Sequence, residues 1–441
     1  MKQIKFSLVI SLLLVSTVAL GQQKVESKFG KGVYVVANDS SFSMKFNARV
    51  QSLLQFEVPA GSEIRSSENL MDDMTSNWLI RRSRLKFSGF AYSPKIKYKI
   101  ELGLSNRDHG GENIHTNNTS NLILDAFVRW NFYKNMEVWI GQTKLPGNRE
   151  RVISSQKLQF VDRSLVNSRY NIDRDMGIQF RNKFNIGSIA TRQALAISQG
   201  EGRNRTNKKD PNPANGFEYT GRVEVLPFGD FTGKGDYFSS DLKREETPKL
   251  SIGVTYDVNQ NAAREGGNLG SYLETVDEDG KTIVDHENLA TLNTILGDVM
   301  FKYKGFSLLG EFANKTMSRE RSYDPDPEYE LNDIGEVIDS TYNIYNNYYT
   351  GSGLTLQAGY LFKNNLEPAI RYTTIAPELL TGDIAQESRD LQEMITFGLS
   401  KYVVGHSLKI QTDFSIINET DQFTDVSSKE YMFRFQVEVA F

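Results

Sequence analysis

Cysteine is absent from all 441 residues. That excludes disulfides and thiolate metal sites, and it suits an exported chain that crosses an oxidising compartment. Histidine is nearly as scarce, with His109, His115, His286 and His406 making up all four. No HExxH and no GxSxG occurs, so the zinc-hydrolase and nucleophile-elbow signatures are missing. The chain also lacks charge of one sign: 51 Lys and Arg stand against 55 Asp and Glu, a formal net charge of −4. Nucleic acid is therefore not an expected partner. Long apolar runs are missing everywhere except at the start, which leaves no candidate for a membrane helix in the body of the chain.

The one apolar run has a specific reading. Lys2 and Lys5 precede Phe6 to Val15, and Ala19-Leu20-Gly21 follows with small residues where a signal peptidase reads. Residues 1–21 are expected to be a signal peptide cleaved before Gln22. The competing reading is a membrane anchor, for which the run is short. With no Cys at the junction, a lipid-anchored lipoprotein is excluded. Loss of Lys2 and Lys5 takes the charge from −4 to −6.

What the chain does have is alternation. In its last segment Tyr431, Phe433, Phe435, Val437, Val439 and Phe441 share one face, and Met432, Arg434, Gln436, Glu438 and Ala440 the other. That is the period of a strand. The same pattern recurs at Met44–Val50, Arg82–Ala91, Ile96–Leu104, Leu124–Trp130 and onward, giving sixteen expected strands of roughly ten residues, the length of a tilted membrane strand. Short connections such as Lys304-Gly305 alternate with long ones such as Leu145–Arg174. Phe228–Pro248 breaks this rhythm, being long where a short turn is expected.

Two architectures compete. A secreted β-sandwich alternates too, but it would leave an apolar face on every strand with no helix to cover it. Backbone groups in lipid must all be paired, which forces a sheet to close. An even strand count, alternating loop lengths and a terminal aromatic fit closure, so the expectation is all-β: a 16-stranded antiparallel transmembrane β-barrel with a constriction loop after the fifth strand. Residues 22–43 are read as a short periplasmic segment and 44–441 as the barrel. Sixteen strands leave room for water inside. Phe441 looks like the signal that barrel-assembly machinery reads.

The inward faces of the first half are basic. Arg49, Arg82, Arg84, Lys86 and Arg129 are expected there, with Lys144, Arg149 and Arg151 at and within the constriction loop. Lys45, Lys97, Lys99, Arg181, Lys183 and Arg222 share these faces, and Lys157 lies in the loop. A basic wall in a low-dielectric channel focuses anions, and an arginine fork donates two bonds to an oxyanion. The alternative is that these charges pair with one another and only solvate the pore.

Five pieces of sequence then fall into a known order: Arg81-Arg82-Ser-Arg84-Leu85, Asp125-Ala126-Phe127-Val128, Gly141-Gln142-x-Lys144-x-Pro146-x-x-x-Glu150, Gly221-Arg222 and Glu367-Pro368-x-x-Arg371-Tyr372. Together they resemble the phosphate-selective porin O and P family. The resemblance implies a sixteen-stranded outer-membrane homotrimer that passes phosphate or polyphosphate, with Arg82, Arg84, Lys144 and Arg149 near the constriction. Gly147 stands where that family often has an aromatic, and the outer loops are acidic. The expected function is passive diffusion of small inorganic anions across the outer membrane of a Gram-negative bacterium. No cofactor, metal or catalytic residue is expected, and the partners are membrane lipids, sister subunits and the assembly machinery. A lipase-like barrel enzyme or a surface-binding barrel is the alternative.

Overall fold

The computed structural model describes residues 24–59, 74–109, 121–205, 216–276, 282–284, 289–318, 329–331, 337–340, 348–378, 390–422 and 424–441. The signal segment, His115, His286 and the acidic stretches 277–279 and 324–328 lie outside them.

Period-two alternation rich in β-branched and aromatic residues makes the strands. A hairpin of β1 (Lys24–Lys28) and β2 (Gly32–Val36) comes first. β3 (Ser43–Val58), β4 (Thr75–Ala91), β5 (Ser93–Gly103), β6 (Ile123–Tyr133), β7 (Met136–Lys144), β8 (Arg174–Ile186), β9 (Ile189–Ser198), β10 (Glu218–Leu226) and β11 (Lys249–Ala262) follow. β12 (Glu274–Val276) pairs with β13 (Thr282–Val284) in an outer loop. After β14 (Ala290–Tyr303) and β15 (Phe306–Met317), a second loop hairpin joins β16 (Tyr329–Leu331) to β17 (Val337–Ser340). β18 (Gly351–Tyr360), β19 (Leu366–Pro377), β20 (Leu391–Tyr402), β21 (Leu408–Thr420) and β22 (Ser427–Ala440) complete the chain.

Each wall strand pairs antiparallel with the next, and β22 returns to β3 from Tyr431↔Val58 to Ala440↔Arg49. The sheet has eighteen strands; without β1 and β2, sixteen remain in a closed barrel. The 22–43 segment contains the extra hairpin, whose β2 pairs with the first residues of β3, Val33↔Phe46 to Val36↔Ser43, beyond the point where β22 ends. It covers an edge that would otherwise be bare.

Burial is inverted relative to a soluble sheet. On β22, Phe433 and Phe435 face outward at 41% and 39% exposure, whereas Arg434, Gln436 and Glu438 are buried. Leu195, Ile197, Val223, Val254 and Ile295 are exposed in the same way. An apolar exterior around a polar interior is the arrangement of a barrel in lipid. Trp130, Phe132 and Tyr133 gather at one rim, and Tyr360 meets Phe362 edge-on at 5.1 Å on the same rim. That is where an interfacial aromatic band belongs.

Both ends of the barrel chain lie at this rim, here called periplasmic. Its turns are short, except for the connection from β10 to β11. Lys304 and Gly305 both take positive φ, 48° and 95°, so their twist matches that of the flanking strands. Gly305 is required twice over, because a Cβ there would sit 2.7 Å from the carbonyl of Leu361. The opposite, outer rim carries the long loops.

One strand is longer than its alternation implies. Gln51 pairs with Arg82 but Ser52 pairs with Ile80, so Arg81 is the extra residue of a β-bulge. The bulge shifts the inward face by one, which is why alternation reveals β4 only from Arg82 although the strand begins at Thr75. Trp78 and Ile80 face outward on the far side of the bulge, and Arg81 turns into the lumen beside Arg82.

Candidate functional site in the barrel lumen

The third outer loop, residues 145–173, leaves β7 and folds into the barrel. Two short helices, α1 (Arg149–Val152) and α2 (Leu165–Arg169), give it local form. At its root Lys144 Nζ donates to the carbonyls of Arg151, Val152 and Ile153 at 2.5, 3.3 and 3.2 Å, gathering in the carbonyls that α1 leaves unpaired. Ser164 caps α2 by accepting from the Asn167 amide.

The loop then fastens itself to the wall by buried charge. Arg149 Nε lies 2.7 Å from Asp298 Oδ1 and its Nη2 2.9 Å from Glu224 Oε1, with Ser251 accepting a third bond at 2.8 Å. Arg222 reaches back to the carbonyl of Gly147 at 3.0 Å. Across the lumen, Asp162 accepts two bonds of 2.9 Å from Arg81 and one of 2.6 Å from Arg82. The Val161 amide donates to Asp413, which is itself held by Arg434 at 2.7 and 2.9 Å. Phe160 packs over Gly398, where a Cβ would lie 2.8 Å from its ring. Apolar clusters fill the gaps: Val166, Tyr170 and Ile172 with Leu296, Ala313 and Ile375, and Ile153 and Leu158 with Leu226, Phe231, Met300 and Leu309. The loop thus packs against the inward faces of β14, β15 and β19 to β21.

Of the eight cations singled out from the sequence, five are paired with carboxylates and Lys144 is held by backbone carbonyls. Arg49 holds Ser155 Oγ at 2.9 Å and lies 3.4 Å from Glu438. Arg82 holds Asp162 and Gln51. Arg84 grips Asp108 with two bonds, 2.9 and 2.6 Å. Arg151 takes Asp173. Lys144 and Arg149 bind the loop as described. These six are engaged in contacts within the wall and its loops. A buried charge without a partner costs several kcal/mol, so each inward arginine beside an acid is drawn into a pair.

Lys86 and Arg129 differ. Lys86 has no hydrogen bond or ion pair among the described residues, and Arg129 comes only within 3.9 Å of Glu137. They line two cavities on the β4–β9 side that share Arg129. One, about 560 Å³, is bordered by Lys45, Lys86, Lys97 and Lys99 with no carboxylate in its lining. The other, about 910 Å³, is bordered by Trp139, Lys157, Arg181, Lys183 and Lys234, and also by Glu137, Glu224 and Asp230, the last paired with Lys183. Trp139 holds Arg181 over its ring at 4.3 Å and Arg129 at 5.7 Å, and Phe127 stacks on it at 5.0 Å. A ring orients a guanidinium without cancelling its charge. Lys157, on the loop, lies 3.7 Å over Phe238; burial, with Lys86 and Lys234 adding repulsion, pushes its ammonium down to about 8.

Alternation puts Lys45, Lys97, Arg181 and Lys183 on inward faces and Lys157 in the loop, but does not single them out from the other inward cations. The usable signal is Trp139, a large aromatic on the polar face of β7. Lys234 lies in the connection that alternation left unexplained.

Comparison with known proteins agrees with the barrel fold. The family described as phosphate-selective porin O and P matches residues 64–273. The resemblance read from the sequence is shown across that span, and the Glu367-Pro368 and Arg371-Tyr372 pieces fall beyond it. A protein of Aquifex aeolicus (strain VF5), described as uncharacterised, is 25% identical over 362 residues, 76% of this chain and 74% of its own. Among solved structures, the outer membrane channel DcaP of Acinetobacter baumannii aligns with a TM-score of 0.50 and 11% identity over 92% of this chain and 99% of its own. An anion-selective porin from Comamonas acidovorans aligns with the same score and identity over 91% and 100%. At such identity these structures speak for the fold alone. Family and barrel together support an outer-membrane channel.

Proposed function

We propose that this protein is an outer-membrane porin through which small anions diffuse along the wall made by β4 to β9. The carrying observation is the division of the lumen cations into two sets. Most inward arginines meet carboxylates, on both sides of the barrel, and Lys99 and Lys183 do as well, while Lys45, Lys86, Lys97, Lys157 and Arg181 have no carboxylate within ion-pair distance among the described residues. A low-dielectric slot lined by such charges raises the local concentration of anions and lowers that of cations. Phosphate and polyphosphate are the proposed solutes, supported by the family description and by a lysine-rich lining that donates to several oxygens at once. Export through a signal peptide of residues 1–21 and assembly as a homotrimer belong to the same proposal.

A barrel enzyme is disfavoured by the two described histidines. His109 Nε2 lies 3.0 Å from the carbonyl of Gly103, and His406 is packed between the rings of Phe238 and Tyr402. Neither has a serine partner among the described residues.

Planar-bilayer recording under a KCl gradient tests the reading. The purified protein is expected to give a chloride-to-potassium permeability ratio well above about one, and Lys86→Glu with Arg129→Glu to bring it to about one or lower. Added phosphate or pyrophosphate is expected to reduce chloride current. A cation-selective unaltered protein overturns the proposal.

A further inference from the structure

Residues 227–248 join β10 to β11 at the periplasmic rim, where every other turn is short. They do not hang into the periplasm. Asp236, Ser239, Ser240, Asp241 and Glu245 are all buried. Lys302 Nζ, on the lumen face of β14, donates to the carbonyls of Gly235, Phe238 and Ser240 at 2.8, 2.8 and 2.7 Å, which uses all three of its protons. Ser240 and Tyr402 both bond Glu367, the latter at 2.7 Å. On the way out, Asp241 accepts from the Gly305 amide at 2.8 Å, and Arg244 donates to the carbonyl of Leu361 at 2.8 Å.

The inner tip of this segment meets the tip of the third outer loop. The Ser239 amide donates to the carbonyl of Lys157 at 3.0 Å, and Phe238 carries the Lys157 ammonium on its ring. Phe231 shares an apolar cluster with Ile153 and Leu158. Two loops entering from opposite rims therefore share one core, and what they leave open lies on the other side of Tyr237 and Lys234, facing Arg181 and Trp139.

We propose that residues 227–248 are a fixed inner wall of the passage, a second constriction element that together with the third outer loop closes off half of the barrel and confines solute to the slot past Lys157, Arg181 and Tyr237. The claim concerns where and how narrowly solute moves, not the sign of its charge, so it survives or fails independently of anion selectivity.

A chain without cysteine makes the test clean. In Tyr237→Cys, a sulfonate-bearing methanethiosulfonate reagent is expected to react and to cut single-channel conductance by about half, while Ser240→Cys, sealed behind the loop against Glu367, is expected to react far more slowly. Replacing residues 230–246 by a tight turn is expected to raise conductance about twofold or more. If Tyr237→Cys is labelled with no change in conductance, or Ser240→Cys reacts as fast, or the shortened barrel conducts as before, the proposal is overturned. Should the shortened chain fail to insert, the two labelling variants decide.

Discussion

Asp162 and Arg82 are joined by a 2.6 Å hydrogen bond from Nη2 to Oδ1, and the neighbouring Arg81 grips the same carboxylate through its own fork. Two consecutive strand residues reach one acceptor only because the bulge at Arg81 puts both side chains inside. Asp162 thereby ties the third outer loop to β4 and offsets one of the two positive charges of Arg81 and Arg82.

Asp162→Asn should act on both roles. The amide cannot satisfy two buried guanidinium groups, and removing one partner of a buried pair costs about 3–5 kcal/mol, here expressed as loosening of the loop tip. Single-channel recordings should show frequent brief changes of level. Freed positive charge should raise the chloride-to-potassium permeability ratio. A quiet channel of unchanged selectivity would show that Asp162 neither anchors nor screens.

Arg149→Gln should separate a stabilising arginine from a conducting one. Its guanidinium lies against Asp298, Glu224 and Asp236 and is fully buried. Its loss leaves three carboxylates sharing Arg222 and Arg192. The expected result is a barrel less stable by about 3–5 kcal/mol, seen as a lower temperature of heat-induced unfolding, with little change in ion selectivity. Loss of anion preference at unchanged heat stability would return Arg149 to the conducting set.

These two cases show what the sequence could disclose. Strand positions, closure and the inward direction of Arg82, Arg84, Lys86 and Arg129 follow from a period of two, because lipid on one face and water on the other force that period. Which cations remain unpaired does not follow, since Asp162, Asp298 and Glu224 meet their arginines across the lumen from sites far apart in the chain. Arg149 and Lys86 look alike in sequence; one is held by three acids and the other by none. The 227–248 segment was unreadable for a related reason: its buried polar residues gain partners only from other strands and loops, and local pattern carries no trace of them.

Lys302→Met should disturb the passage without altering its charge. Lys302 is buried behind the periplasmic loop and away from the slot, so its charge is not part of the field that solutes meet. Three carbonyls lose their donor, at about 1–3 kcal/mol for each left unsatisfied. Noise and mean conductance should rise while the reversal potential stays where it was. A shift of reversal potential as large as that of Lys86→Glu would mean that the slot extends past Lys302.

Lys157 gives the channel a pH dependence whose sign can be worked out. Its ammonium is lowered to about 8, first by burial and then by Lys86 and Lys234. A lysine lowered in this way is charged below that value and neutral above it, so raising the pH through 8 removes a positive charge from the slot wall. The chloride-to-potassium permeability ratio should therefore be steady from pH 6 to 7 and fall between about 7 and 9. Lys157→Met should show the low ratio throughout and no fall in that window, whereas Lys157→Arg should hold the high ratio across it, because a guanidinium stays protonated there. Reversal potentials measured at fixed KCl gradient across this range decide it. A fall that persists in Lys157→Met would assign the titration to another group.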